Sequence, residues 1–268
     1  MTALAEHGAA RLRWAVADAL TVAGRDVAHW RRQPAGLLVG LAFPVLLMVV
    51  FVYLLGGGIA VPGGSYRDAM VPGMLVLVVL FGLESTMTAV VTDTRRGVTD
   101  RFRALPMAPS AVVTGRCLAD LLSSVLGLVA VGLAGLAMGW RPEAGPGLLG
   151  AFALLLLLRV GFLWVGIWLG LVAREPELVT AVQVLVWPFA FLSNVFVPVA
   201  SMPAWLGTLA EWNPVAATVT AVRELTGVPG ADGGWATGHA TLLAVAWPVV
   251  LTAVFAALSV RRWQRLSR

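Results

Sequence analysis

The chain contains no lysine, a single cysteine and three histidines, and charged residues make up only 12% of it. Each scarcity removes a class of chemistry. Without lysine there is neither a Walker A phosphate loop nor Schiff-base catalysis, so energy from ATP has to arrive through another polypeptide. Cys117, alone, cannot close an intrachain disulfide. His7, His29 and His239 all lie outside the middle of the long apolar runs. A proton relay or an intramembrane serine protease, each needing titratable groups at bilayer depth, is therefore poorly served. Metal binding has no support either, since no His/Cys cluster or acidic pair one turn apart is present. No catalytic residue and no metal ligand is assigned, and the chain reads as a non-enzyme with no cofactor of its own.

What the sequence does have is apolar length. It is 59% hydrophobic with a mean hydropathy of +0.86, well outside the range of ordinary soluble domains. Six runs approach or exceed the roughly 20 residues a helix needs to cross the hydrocarbon. They lie near Ala35–Leu55, Ala69–Thr92, Arg116–Gly139, Gly147–Val172, Leu178–Val199 and Gly238–Val260. The runs are continuous rather than alternating, which favours helices over a β-barrel. The expected fold is an all-α polytopic membrane protein with six transmembrane helices.

The 19 basic residues, all arginine, orient those helices. With the N-terminus inside, only Arg67, Arg141 and Arg223 fall outside and Arg159 falls within a span, while every other arginine is cytoplasmic. The positive-inside rule expects this asymmetry and places both termini in the cytoplasm. Topology also accounts for the pI near 10.9, so membrane lipid and not nucleic acid is the expected polyanionic neighbour. The first run starts near Ala35, too late for a cleavable signal peptide. Residues 1–34 read as a cytoplasmic N-terminal segment, 35–260 as the six-span domain and 261–268 as a basic tail.

Within residues 1–34, Arg11–Arg32 has the pattern of an amphipathic helix. Leu12, Val16, Leu20, Ala23, Val27 and Trp30 recur at helical spacing, opposite a stripe of Arg11, Asp18, Arg25 and Arg32. Such a helix can lie in the membrane interface, as a plain anchor or as a surface for a partner. The Gly-rich stretch Gly56–Tyr66 lacks the strand and helix that would frame a dinucleotide site, and reads as a flexible turn.

The longest basic interruption is DTRRGVTDRFRALPMAPS, Asp93 to Ser110. Pro106 and Pro109 stop any helix that begins near Gly97. A short helix over Val98–Ala104 is expected, with Phe102 and Leu105 as its apolar knobs. Asp93 and Asp100 among Arg95, Arg96, Arg101 and Arg103 suit a protein groove with charges of its own, although retention at the lipid surface would also use the arginines. The last outer connection, Ala200–Thr237, is long but not polar. Trp205, Leu209 and Trp212 repeat at helical spacing, as do Val215, Val219 and Val222 after Pro214, so two helices too short to cross are expected.

Glu84 and Arg159 lie inside the second and fourth runs. Leaving either unpaired costs at least about 2.5 kcal/mol. Their depths differ by under about two turns, so a direct or water-bridged pair is expected, either fixing helix register or lining a pathway. Gln183, Ser193 and Asn194 are milder polar groups in the fifth run. Glu84, Arg159, Gln183 and Asn194 form the candidate pathway set. Arg116 and Asp120, four apart, read as a local surface pair.

Two longer segments carry a family resemblance. DTRRGVTDRFRALPMAPSAVVTGRCLAD (Asp93–Asp120) resembles the cytoplasmic loop of ABC type-2 permeases, most of all the daunorubicin/doxorubicin-resistance group of drug and antibiotic exporters. PFAFLSNVFVPVASMPAWLGTLAEWNPVAATVTAVREL (Pro188–Leu225) resembles the fifth-span end and outer hairpin of the same family. The resemblance implies a half-transporter: two permease subunits, a homodimer favoured over a heterodimer, with two separate ABC ATPase subunits that bind ATP and Mg. It makes Gly97–Pro106 the coupling helix, with Gly97, Asp100, Arg101, Phe102, Arg103, Leu105 and Pro106 facing the ATPase. It makes the Arg11–Arg32 helix an interface helix and Ala204–Thr226 a re-entrant outer hairpin framed by Pro198, Pro203, Trp205, Trp212, Asn213 and Pro214. Arg95-Arg96-Gly97 departs from the acidic residue many relatives carry before that glycine. The implied location is a bacterial plasma membrane.

The implied activity is export of a hydrophobic or amphipathic small molecule, such as a drug, antibiotic or lipid-like metabolite. Two other readings remain. Export of a polysaccharide or lipid-linked glycan would use a line of aromatics, for which Phe162, Trp164, Trp168, Trp187 and Phe189 are candidates. A membrane anchor or assembly subunit would use the arginine-rich elbow to recruit a protein without moving cargo.

Overall fold

Apolar runs in lipid must satisfy every backbone N–H and C=O within themselves, and the helix does so. The computed structural model describes residues 21, 24, 28, 32, 34–56, 58, 65–95, 109–143, 145–173, 176–197, 199, 202–228 and 234–266, and among them there is no strand. The helices are α1 (Pro34–Val50, running into a π-helical turn at Phe51–Leu55), α2 (Tyr66–Arg95), α3 (Pro109–Ala137), α4 (Pro146–Val172), α5 (Pro176–Phe191), α6 (Ala204–Glu211), α7 (Pro214–Leu225), α8 (Trp235–Gly238) and α9 (Ala240–Leu266). Of these, α1, α3, α4, α5 and α7 begin on proline, whose missing N–H is one the first turn would leave unbonded anyway. Two helix ends close on glycines in the left-handed region, Gly139 after α3 (φ +93°) and Gly227 after α7 (φ +86°). In both, the next amide bonds back five residues, Trp140 to the Gly135 carbonyl and Val228 to that of Arg223.

Among the described residues, five helices are long and apolar enough to cross a membrane: α1 with its π turn, α2, the Cys117–Ala137 part of α3, α4 and α9. The fifth expected span, Leu178–Val199, is helical only to Phe191 and then breaks into turns. At 16 residues, α5 rises about 24 Å against about 30 Å of hydrocarbon. The break has a local cause. The carbonyls of Phe189 and Leu192, which a longer helix would bond internally, accept from the Asn213 side chain at 3.1 and 2.7 Å.

α2 is the centre of the bundle, packed by α3, α4, α5, α7 and α1. Every residue from Ala69 to Leu80 is buried, while its C-terminal half buries one side only. α4 packs against α2 and α9, and its glycines set how closely. A Cβ at Gly161 would lie 3.1 Å from Pro248 Cα of α9. One at Gly166 would lie 2.8 Å from the Leu83 carbonyl oxygen, and one at Gly170 would lie 2.7 Å from Val90 Cβ. Gly166 and Gly170 thus form a small-xxx-small contact against α2, the means by which helices approach when lipid is as apolar as their side chains.

α7 is not a surface helix. Val215 to Val222 are all buried, and it packs against α2, α4 and α9. α6 differs: Trp205, Leu209 and Trp212, the stripe seen in the sequence, are exposed. α1 and α5 contribute the most open faces, with Leu38, Val39, Leu46 and Leu54 on one and Val184 and Leu185 on the other exposed.

Candidate functional site

The polar centre of the bundle is built on Arg159 of α4, which is 1% exposed. Its Nε donates to Ser124 Oγ at 2.6 Å and its Nη2 to Thr86 Oγ1 at 2.8 Å. Nη2 also lies 3.7 Å from Asp120 Oδ2, and Thr86 Oγ1 is 2.8 Å from the same carboxylate oxygen. Ser124 Oγ in turn donates to the Asp120 carbonyl at 2.9 Å. Charge, counter-charge and two hydroxyls from α2, α3 and α4 therefore meet at one level. Space for the guanidinium comes from Gly82, where a Cβ would stand 2.8 Å from Arg159 Nε.

The partner of Arg159 is thus Asp120, not the Glu84 expected from depth alone. Azimuth explains the difference. Gly82 and Thr86, four apart on α2, both face Arg159, and Glu84 midway between them is rotated about 200° from Gly82. Glu84 lies one turn below Phe81, beside the exposed Ser85 and Thr88, and its buried Oε1 has no hydrogen-bond partner among the described residues. Asp120, read as half of a surface pair with Arg116, faces inward instead; the Arg116 side chain lies outside the described ones.

Of the other pathway candidates, Asn194 is buried and donates to Thr220 Oγ1 of α7 at 2.7 Å, whereas Gln183 is exposed on α5. Only Glu84 and Gln183 of that set reach a surface. Beside them runs a chain of rings joining α1, α2 and the end of α5. Phe81 meets Phe43 and Trp187 at centroid distances of 5.7 and 5.3 Å. Trp187 meets Phe191 at 6.3 Å, Phe191 meets Phe196 at 4.8 Å, and Phe196 meets Phe51 at 4.6 Å. The aromatics suggested for a glycan path do not line up: Phe162 is buried, Trp168 packs on Phe255, and of the five only Trp187 belongs to the ring chain.

At the far end, the Asn213 side chain ties two elements together. Its Oδ1 accepts from the Val215 amide at 2.9 Å, capping α7, while its amide group holds the end of α5 as described. Asn213→Ala should therefore cost about 2 kcal/mol or more, the loss of a cap plus two stranded carbonyls, read as a lower unfolding temperature in detergent. Arg223 of α7 donates to the carbonyls of Ala69 at 2.9 Å and Val195 at 3.2 Å. Pro203 and Trp212 cap the two ends of α6, Trp205 lies in its first turn, and Trp212 stacks on Trp235 at 5.9 Å.

The elbow residues Gly97, Asp100, Arg101, Phe102, Arg103, Leu105 and Pro106 lie outside the described residues, as do Arg11, Asp18, Arg25 and Pro198. Arg32 is described and exposed. What the structure fixes is the pair of helices that carry the elbow: α2 ends at Arg95 and α3 starts at Pro109.

The profile of the family described as "ABC-2 type transporter" matches residues 19–226. The chain belongs to that family. It is also 34% identical, over 252 residues (93% of this chain and 87% of the relative), to the "Daunorubicin resistance ABC transporter permease protein DrrB1" of Streptomyces coeruleorubidus. It is 25% identical over 201 residues (73% of this chain and 69% of the relative) to the "Putative transport permease ycf38" of Porphyra purpurea. The namesake protein of Pyropia yezoensis is 24% identical over the same shares. The match covers α1 through α7, so the central α2, the Arg159 network and the Asn213 junction all lie inside the family region of the permease. Thr86 and Ser124 were overlooked by sequence reasoning, and Asp120 was assigned to a surface pair with Arg116 instead of to Arg159. The available signal was a carboxylate and two hydroxyls within otherwise apolar runs.

Proposed function

We propose that this permease exports a hydrophobic or amphipathic small molecule of the drug class, working with a second permease subunit and two separate ATPase subunits. The carrying observation is the 34% identity, across nearly the whole chain, to a daunorubicin resistance permease protein. In this reading α5 and the turns after it serve as the fifth of six spans, α6 and α7 form the re-entrant hairpin, and both termini face the cytoplasm of a bacterial cell. The burial of α7 supports re-entry, because a helix of 12 residues is admitted to the membrane only where protein covers its ends. Gly97–Pro106 acts as the coupling helix and Arg11–Arg32 as the interface helix. ATP and Mg are held by the ATPase, whose ATP-bound form favours one of two permease conformations by its differential affinity.

Cargo contact falls to the open flank of α2 and α5. Glu84, Ser85, Thr88 and Gln183 supply polar groups there, and the ring chain from Phe81 to Phe51 supplies apolar stacking surface. The test is ATP-dependent uptake of daunorubicin into inverted membrane vesicles carrying the permease with its ATPase. Uptake that exceeds vesicles with the ATPase alone supports drug export. ATPase activity indifferent to daunorubicin and to other amphipathic drugs, with no uptake, would return the anchor reading to first place. For the coupling helix, Asp100→Arg and Arg103→Glu should each lower transport at least about tenfold by setting like charges against the ATPase groove. Membrane insertion, followed by immunoblot, should be unchanged.

A further inference from the structure

The helices that carry the elbow do not grip the rest of the bundle equally. α3 packs along α2 and α1 but meets α4 over a shorter length than α2 does. At that short meeting Arg159 reaches both Asp120 and Ser124 of α3 while also holding Thr86 of α2. Thr86 is nine residues before the end of α2, and Asp120 eleven residues after the start of α3. By helical rise the network stands on the order of 15 Å above both ends of the elbow. Between the two lies a second, apolar layer in which Leu163, Ile167 and Leu171 of α4 pack against Val90 of α2 and Cys117 of α3.

We propose that the Arg159 network is a clamp that makes α2, α3 and α4 one rigid body, delivering displacement of the elbow to α4. Arg159, Asp120, Ser124 and Thr86 are then positioning residues. The moving seam lies on the other side of α2, against α1 and α5. Sliding α3 or α2 past α4 breaks the ion pair and hydroxyl bonds together, at a depth where no water replaces them. The contacts of α2 with α1 and α5 through Phe81, Phe43 and Trp187 are ring contacts, which re-pack without stranding a polar group. The Gly166 and Gly170 approaches add a steric lock to the same body. This inference rests on the elbow being the ATPase-facing element.

The test uses the permease–ATPase complex in proteoliposomes, with Cys117→Ser as background. A bimane fluorophore is placed at Ala104→Cys on the elbow, a position outside the ATPase-facing set, or at Leu149→Cys, an exposed site at the start of α4. ATP with vanadate should shift bimane emission at both sites in the parent. In Thr86→Val/Ser124→Ala the elbow shift should persist, while the shift at residue 149 should be at least about twofold smaller. Thr86→Ser, which keeps the hydroxyl, should behave as the parent. Ser124→Ala alone, with one bond removed, should give a smaller loss and serves if the double variant does not assemble. A shift at residue 149 undiminished in the variants, or absent in the parent while residue 104 responds, would overturn the clamp. Loss at both sites together would also overturn it, since the defect would then precede the elbow. No response at residue 104 in the parent would instead sink the coupling-helix reading on which the clamp rests.

Discussion

Asp120→Ala should lower the stability of the permease by about 3–5 kcal/mol, the usual cost of removing one partner from a buried ion pair. The side chain itself is small, and little of this is lost packing. Arg159 would keep its charge at a place where water and lipid headgroups cannot reach it, with the hydroxyls of Ser124 and Thr86 as its acceptors among the described residues. Arg159→Met/Asp120→Leu should recover much of the loss, because a neutral pair of similar volume removes both desolvation penalties. Unfolding followed by fluorescence in detergent would show the single variant well below the parent and the double variant between them. If Asp120→Ala unfolds with the parent, Asp120 is not the counter-ion of Arg159. If the double variant is as unstable as the single, packing rather than charge dominates the site.

The second large effect belongs to the contact between α2 and α4. Gly166→Leu should be destabilising by about 3 kcal/mol or more, at the upper end of overpacking costs. A Cβ there meets the Leu83 carbonyl oxygen at 2.8 Å and Thr86 Cβ at 3.0 Å, and backbone cannot turn aside as a side chain can. The substitution also pushes Thr86 from Arg159, so it should act non-additively with Thr86→Val. Gly40→Leu in α1, where nothing lies within 4 Å of a new Cβ, provides the control and should leave the unfolding temperature nearly unchanged. Equal effects of the two substitutions would mean that α2 and α4 do not approach at Gly166.

The helices were legible because lipid leaves the backbone so few choices. Continuous apolar runs marked α1 to α4 and α9, although Pro109, read as a helix stop, turned out to begin α3. The stripes at Trp205 and Val215 foretold α6 and α7. The sequence overstated α5, because a run of apolar residues through Val199 does not reveal that Asn213, far along the chain, takes over the carbonyls at its end. The site was less legible. Depth along a helix can be counted from residue numbers, and on that count Glu84 suited Arg159. Which way each residue faces depends on how α2, α3 and α4 are rotated about their axes, and that is settled by Gly82, Gly166 and Gly170, where the helices can approach. Asp120 sits near the edge of an apolar run beside Arg116, so local pairing masked its inward direction. The ring chain was hidden for a similar reason: its members come from α1, α2, α5 and the turn after it, and no single stretch of sequence contains the pattern.

The central claim is that a separate ATPase drives this permease through the elbow between α2 and α3. The direct measurement is a crosslink. With Cys117 replaced by serine and a single cysteine at position 103, native membranes are treated with a short bifunctional reagent and the captured protein is identified by mass spectrometry. The account predicts a soluble subunit bearing a Walker A motif, with capture abolished by excess of the purified ATPase. Reproducible capture of a different protein, or of lipid alone, would contradict it.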